Sequence, residues 1–124
     1  MRVAAPALAV LLAGCVGGTA PAPSEGPVVP IRFDSNGIEA VGTGQRIDFG
    51  RDLAGVQQTM TRLQGASPRV LPCDSITRSA LRWDDGPLLV FENNAFVGWS
   101  TPDPAQSADG RTAFGQTCAP LAIT

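Results

Sequence analysis

Only one stretch of this chain after residue 30 has the hydrophobic spacing of a helix. The fold must therefore be built around a single helix. In "GRDLAGVQQTMTRLQG", apolar residues recur at intervals of three and four positions, which places them on one helical face: Leu53, Val56, Met60 and Leu63. Asp52 is suited to cap the amino end, and Gly65 followed by Pro68 ends the pattern. The sequence therefore predicts one helix, over about residues 52–64.

The rest of the chain after residue 30 has the pattern of short strands and turns. Apolar residues alternate or run together in six short segments: 31–33, 38–41, 46–49, 77–83, 87–92 and 95–99. Asn36-Gly37, Asp84-Asp85-Gly86 and Asn93-Asn94 are turn sequences, because Asn, Asp and Gly tolerate positive φ. The predicted class is α+β, with a small antiparallel meander packed by one helix.

Composition and charge exclude several classes of function. With 124 residues the chain has room for one domain, and a net charge of −2 with nine scattered Arg and no Lys gives no basic surface for nucleic acid. The chain has no His, so most general-base and metal-binding arrangements lose their usual participant. We therefore expect no cofactor and no metal.

The amino terminus has the order of a targeting signal. Arg2 precedes an apolar run over residues 3–12, which is too short to span a bilayer. The run ends in Leu-Ala-Gly-Cys at residues 12–15, which resembles the lipobox of bacterial lipoproteins. The resemblance implies that residues 1–14 are removed and that Cys15 is lipidated. Two alternatives remain: a buried Cys15 belonging to the fold, and an ordinary signal peptide cleaved near Ala20.

The segment after Cys15 is typical of a tether. "VGGTAPAPSEGPVVP" contains mainly small residues and proline, and cannot bury enough apolar surface to fold. Residues 15–30 would hold a domain at 31–124 away from a membrane through the lipid. By the lipoprotein resemblance, Val16 in place of Asp favours the outer membrane, with the domain facing the periplasm. The whole chain resembles small uncharacterised envelope lipoproteins of Gram-negative bacteria.

If Cys15 is lipidated, two cysteines remain with free thiols, Cys73 and Cys118. In an oxidising compartment they would pair, closing a loop of about 45 residues and attaching the turn-rich tail from Thr101 onward. Two separate buried thiols are the alternative, and a zinc site would lack ligands. We expect the disulfide.

A second resemblance covers residues 46–100. "FGRDLAGVQQTMTRLQG" followed by paired strands ending in "FVGW" is similar to small outer-membrane lipoproteins of the SmpA/OmlA type and to the repeat unit of β-lactamase-inhibitor-like proteins. This chain has one recognisable helix where that unit opens with two. The resemblance implies a helix-plus-sheet unit that binds other proteins.

Few residues suggest catalysis. Asp84 and Asp85, with Glu92 expected nearby across a hairpin, are candidates for a carboxylate-dependent hydrolase. Adjacent aspartates before Gly86 are more often a turn, and no His or Lys is present to activate a serine. We therefore expect that the protein is not an enzyme.

Three aromatic residues form the remaining candidate site. Trp83, Phe96 and Trp99 lie on neighbouring predicted strands and are candidates for a binding surface. A domain of this size needs most of them in its core, and Trp99 is the one expected to be partly exposed. The expected role is structural or protein-binding, with an unknown envelope protein as partner. An inhibitor of an envelope or secreted enzyme is the alternative.

Overall fold

The computed structural model describes residues 29–119. Cys15, the predicted signal sequence and the predicted tether up to residue 28 lie outside this range, as do residues 120–124. The described part contains one α-helix, α1 (Leu53–Gln64), and a single 3-10 turn at Pro104–Gln106. Its eight strands are β1 (Ile31–Asp34), β2 (Gly37–Ala40), β3 (Gln45–Asp48), β4 (Arg69–Pro72), β5 (Arg78–Arg82), β6 (Leu88–Glu92), β7 (Ala95–Ser100) and β8 (Ala113–Gly115).

The predicted helix is confirmed together with both of its ends. Asp52 accepts a hydrogen bond from the Ala54 N–H at 3.1 Å, which satisfies a backbone donor at the amino end. Gly65 takes a left-handed conformation with φ of 71° and donates its N–H to the Thr61 carbonyl. The predicted apolar stripe packs into the core through Val56, Met60 and Leu63.

The strands form two antiparallel sheets, so the expectation of a single small sheet is met only roughly. The first three strands make one antiparallel sheet in the order β1-β2-β3, and the other five make a second in the order β4-β5-β6-β7-β8. Helix α1 lies between them in the chain, and no strand of the first sheet is a ladder neighbour of the second. Each sheet is a meander, as predicted, and the class α+β is confirmed.

One core joins the two sheets and the helix. Phe33, Ile38 and Ile47 contribute from the first sheet, and Leu81, Leu89, Phe91, Phe96 and Trp99 contribute from the second. The ring centroids of Phe33 and Trp99 are 4.9 Å apart, and the Trp99 indole donates to the Asp34 carbonyl at 2.8 Å. The first sheet therefore covers the inner face of the second beside α1.

The disulfide predicted between Cys73 and Cys118 is confirmed. Their sulfur atoms are bonded, the Cα atoms are 5.3 Å apart, and the two residues are separated by 45 positions. Cys73 follows β4 at one edge of the large sheet, whereas Cys118 follows β8 at the other edge. The bond therefore links the two edges of this sheet.

The link requires the chain after β8 to cross the large sheet, and we name residues 116–119 the crossing segment. Gln116 donates its N–H to the Val97 carbonyl in β7, the Thr117 carbonyl accepts from the Arg78 guanidinium, and the Ala119 carbonyl accepts from the Asp74 N–H. The tail from Thr101 onward was expected to be irregular. In the structure it contains a 3-10 turn and the short strand β8, and the crossing segment itself has no regular secondary structure.

Strand β4 was not predicted. Pro68 precedes it and Pro72 is its last residue, and the segment has neither a continuous apolar run nor an alternating pattern. Val70 is largely exposed. It pairs with β5 in antiparallel register, Arg69 opposite Arg82 and Leu71 opposite Ala80. Proline is tolerated because β4 is an edge strand.

Candidate binding site

The three aromatic candidates belong to the core. Trp83, Phe96 and Trp99 are 3%, 0% and 2% exposed. The expectation that Trp99 is partly exposed is wrong, because β1 of the first sheet lies over it and supplies both Phe33 and the Asp34 carbonyl as partners. The expectation came from the position of Trp99 beside Gly98 and near the proline-rich tail.

The three candidate carboxylates do not converge. Asp84 and Asp85 are in the turn from β5 to β6, where Asp85 has φ of 54°, whereas Glu92 is at the far end of β6. At about 3.3 Å per residue, the four steps from Leu88 to Glu92 correspond to about 13 Å. The expected proximity of Glu92 to the aspartates is therefore wrong.

Glu92 is instead part of an ion pair on the opposite end of the hairpin. A hydrogen bond from Thr77 and a second from Arg78 at 2.7 Å hold the pKa of this carboxyl below its usual range. Arg78 also donates to the Thr117 carbonyl at 3.0 Å. Glu92 therefore orients the arginine that fastens the crossing segment.

A cavity of about 310 Å³ opens where the end of α1, the β5–β6 turn and the loop before the 3-10 turn meet. We name it the Gln64 cavity. It is lined by residues of all three segments: Gln64, Ala66, Ser67, Trp83, Asp84, Asp85, Gly86, Pro87, Pro102, Asp103 and Gln106. The Trp83 indole N–H donates to the Ala66 carbonyl at 2.8 Å, which connects the end of β5 to the segment that follows α1.

Gln64 is an unusual member of this lining. It is only 9% exposed, and within residues 29–119 its Nε2 is the one buried side-chain nitrogen or oxygen without a hydrogen-bond partner. Leaving a buried donor unpaired costs about 1–3 kcal/mol. Such groups are rare in native proteins, which makes Gln64 a candidate for contact with a ligand or a water molecule.

The rim of the Gln64 cavity is acidic. Asp84 forms an ion pair with Arg69 at 3.0 Å, in which both side chains are mostly exposed. Asp103 accepts a hydrogen bond from the Ala105 N–H through Oδ1, which caps the 3-10 turn. Asp85 takes part in no ion pair within residues 29–119. The arrangement suits a cation better than an anion.

A second recess lies beside the disulfide. It has a volume of about 560 Å³ and is lined by β4 and the loop after it, including Val70, Leu71, Cys73 and Ile76. Val70 is 60% exposed and Ile76 is fully exposed. The recess is mainly apolar and has no buried polar group aimed at a ligand among the described residues.

The described residues contain no helix long and apolar enough to cross a membrane. Between residues 29 and 119 there is also no grouping of three or more Cys, Asp or Glu side chains arranged to hold a metal ion. Comparison of the chain with models of protein families, with curated proteins and with solved structures gave no match.

Sequence reasoning missed Gln64 and Asp103. A signal for Gln64 was present, because it lies four residues after Met60 and therefore falls on the apolar face of the helix. A polar residue on that face is either a satisfied core amide or part of a site. Asp103 had no such signal, because its place beside the β5–β6 turn depends on the fold of the tail.

Proposed function

We propose that this chain is a lipid-anchored protein of the bacterial cell envelope, with a structural or protein-binding role. The observation that carries the proposal is the Cys73–Cys118 disulfide. Structural disulfides form and persist in oxidising compartments such as the periplasm and are rare in the cytosol. Because this pair uses two of the three cysteines, Cys15 is left as the odd one, at the end of Leu-Ala-Gly-Cys.

The lipid anchor follows from the position of Cys15. It comes after a positively charged start and a short apolar run, and a segment rich in proline and glycine leads from it to β1. Each buried CH₂ contributes about 0.8 kcal/mol, so two or three acyl chains would hold the protein at a membrane permanently. Val16 favours the outer membrane, with the folded domain in the periplasm.

A protein-binding role is supported by the form of the domain. The Gln64 cavity is open at the surface and is built on a helix end, a tight turn and a capped 3-10 turn. Glu92 lies at the far end of β6 from Asp84 and Asp85 and is held by Arg78, so the three carboxylates expected to act together in a hydrolase do not converge. The resemblance of residues 46–100 to SmpA/OmlA-type and β-lactamase-inhibitor-like units also favours protein binding, including the inhibitor alternative.

The first experiment is the intact mass of the chain extracted from bacterial membranes, measured before and after reduction. We expect a chain that begins at Cys15, carries acyl groups and gains the mass of two hydrogens on reduction. Cys15→Ala should move the protein from the membrane fraction to the soluble fraction and leave the disulfide intact. An unlipidated chain in the soluble fraction, or free thiols at Cys73 and Cys118, would refute the proposal.

The partner would then be sought by crosslinking in intact cells. A photoreactive residue at position 85, on the rim of the Gln64 cavity, is compared with one at position 43, in the turn between β2 and β3. We expect a discrete crosslinked species from position 85 alone. Equal crosslinking from both positions would mean that the contact is non-specific.

A further inference from the structure

We infer that the Gln64 cavity binds the basic side chain of a partner polypeptide, an arginine or a lysine. The inference rests on the protein-binding role proposed above and specifies the chemistry of its partner. Four features of the cavity bear on it: the acidic rim, the apolar walls, the unpaired amide and the volume.

The rim supplies negative charge where a cation would enter. Three aspartates line the cavity, Asp84, Asp85 and Asp103, and of these only Asp84 has an ion pair within the described residues. Arg82 and Arg69 lie beside Asp84 and Asp85 in a neighbouring recess, so they reduce the negative charge on one side of the turn. Asp103 faces the cavity from the opposite loop, and its Oδ2 is not used by the cap of the 3-10 turn.

The walls suit the stem of a long basic side chain. Three of the lining residues carry apolar rings: Pro102 is exposed, whereas Trp83 and Pro87 are almost fully buried. Arginine and lysine carry three or four methylenes that pack on such surfaces while the charged group stays near water. A volume of about 310 Å³ is at the lower limit for ligand pockets and is suited to one side chain rather than a cofactor.

The amide of Gln64 points to a polypeptide rather than a free amine. Its Nε2 donor is buried and unpaired, so it requires an acceptor. A main-chain carbonyl beside the basic side chain is such an acceptor, and an alkylguanidinium ion has none. A bare metal ion is disfavoured, since no set of three ligating side chains is arranged for it within residues 29–119.

The test is an NMR titration of the purified full chain with three probes: acetyl-Gly-Arg-Gly-amide, the same peptide with citrulline in place of arginine, and propylguanidinium. The two tryptophans give a built-in control. The Trp83 indole N–H bonds to Ala66 in the cavity lining, and the Trp99 indole N–H bonds to Asp34 in the first sheet. We expect the arginine peptide to shift the Trp83 indole signal to saturation and to leave that of Trp99 in place.

The variants are chosen to preserve the local backbone. Asp85→Asn tolerates the left-handed conformation, and Asp103→Asn keeps a capping side chain. The double variant should bind the arginine peptide about tenfold more weakly, because each partly exposed charge contact contributes up to about fivefold. Gln64→Met should weaken the peptide and leave propylguanidinium unchanged. Asp74→Asn, which removes an exposed carboxylate at the other recess, is the matched control.

Several outcomes would overturn the inference. Equal titration by the arginine and citrulline peptides would show that charge is not read, and propylguanidinium binding as tightly as the peptide would show that Gln64 is not engaged. Joint movement of both indole signals, or an equal loss with Asp74→Asn, would mean diffuse attraction. Membrane anchoring is measured separately through Cys15→Ala, so a failed titration of an anchored protein refutes the basic-side-chain site alone.

Discussion

Gly98 of β7 lies directly beneath the backbone of Gln116, so that the crossing segment rests on the outer face of the large sheet. A Cβ atom at Gly98 would be 2.7 Å from the Gln116 nitrogen and nearer still to its carbonyl oxygen. Ala80 and Val90 are in register with Gly98 on this face, and both are buried. The face opposite the main core is therefore covered by the backbone of the crossing segment rather than by a second helix.

The first prediction tests this contact by adding one methyl group. Gly98→Ala should lower the free energy of unfolding by about 1–3 kcal/mol, because the clash is with main chain that the disulfide and β8 hold in place. Gly55→Ala is the matched control. Gly55 lies inside α1 with open space around its Cβ position, so alanine should stabilise by about 0.5–1 kcal/mol. Urea unfolding measures both, and a Gly98→Ala protein as stable as the parent would contradict the contact.

The second prediction concerns the disulfide. Removing the bond with Cys73→Ala and Cys118→Ala should reduce the free energy of unfolding by about 4 kcal/mol at most, the value expected for a closed loop of this length. The two single variants should each lose nearly as much as the double variant, since either one breaks the bond. Urea unfolding in the presence and absence of a reductant is the measurement. Additive losses in the single variants would mean that the cysteines act as separate core residues.

The sequence predicted the features that depend on neighbours in the chain. The helix with its Asp52 and Gly65 ends follows from local spacing and capping, and Asn93 and Asn94 both take positive φ in the predicted turn. The division into two sheets was not predictable in this way. Alternation specifies which side chains share a face, but it does not specify which strand edges pair or which sheet covers Trp99.

The residues of the candidate site likewise differ in how far the sequence predicts them. Asp84 and Asp85 were singled out from their sequence, and the structure places both on the rim of one cavity. Asp103 joins them only because the tail folds back beside the β5–β6 turn. Further along the tail, Ala108 donates its N–H to the Phe33 carbonyl of β1 at 2.8 Å. Contacts between residues so far apart in the chain leave no periodic signal in a single sequence.

The third prediction tests how the two sheets are joined. Trp99→Phe removes the indole donor to the Asp34 carbonyl, and leaving that acceptor unpaired should cost about 1–3 kcal/mol. Phe33→Leu removes the ring that packs on Trp99 at 4.9 Å between centroids. A double-mutant cycle of Phe33→Leu with Trp99→Leu, which removes both rings, should give a coupling of about 0.5–1.5 kcal/mol in urea unfolding, the range for aromatic pairs. A coupling near zero would mean that the two sheets meet elsewhere.

The last prediction concerns pH and follows from Asp34. Burial alone would raise the pKa of this carboxyl, but hydrogen bonds from the Arg46 side chain at 2.9 Å and from the Asn36 backbone outweigh burial and lower it. A lowered pKa in the folded state adds stability above the unfolded value of about 4, and this stability is lost as the pH falls through the folded pKa.

Asp34→Asn keeps an acceptor for the Asn36 N–H and removes the charge that faces Arg46. At pH 7 the variant should be less stable than the parent by about 1 kcal/mol, the upper range for a partly exposed pair. This difference should shrink steadily as the pH falls below about 4, because protonation of Asp34 makes the parent resemble the variant. Arg46→Gln should reproduce the loss of pH dependence from the other partner. Urea unfolding between pH 7 and pH 2 measures the free energy of unfolding of the parent and the two variants. A difference that stays constant across this range would show that the Asp34 charge does not stabilise the first sheet.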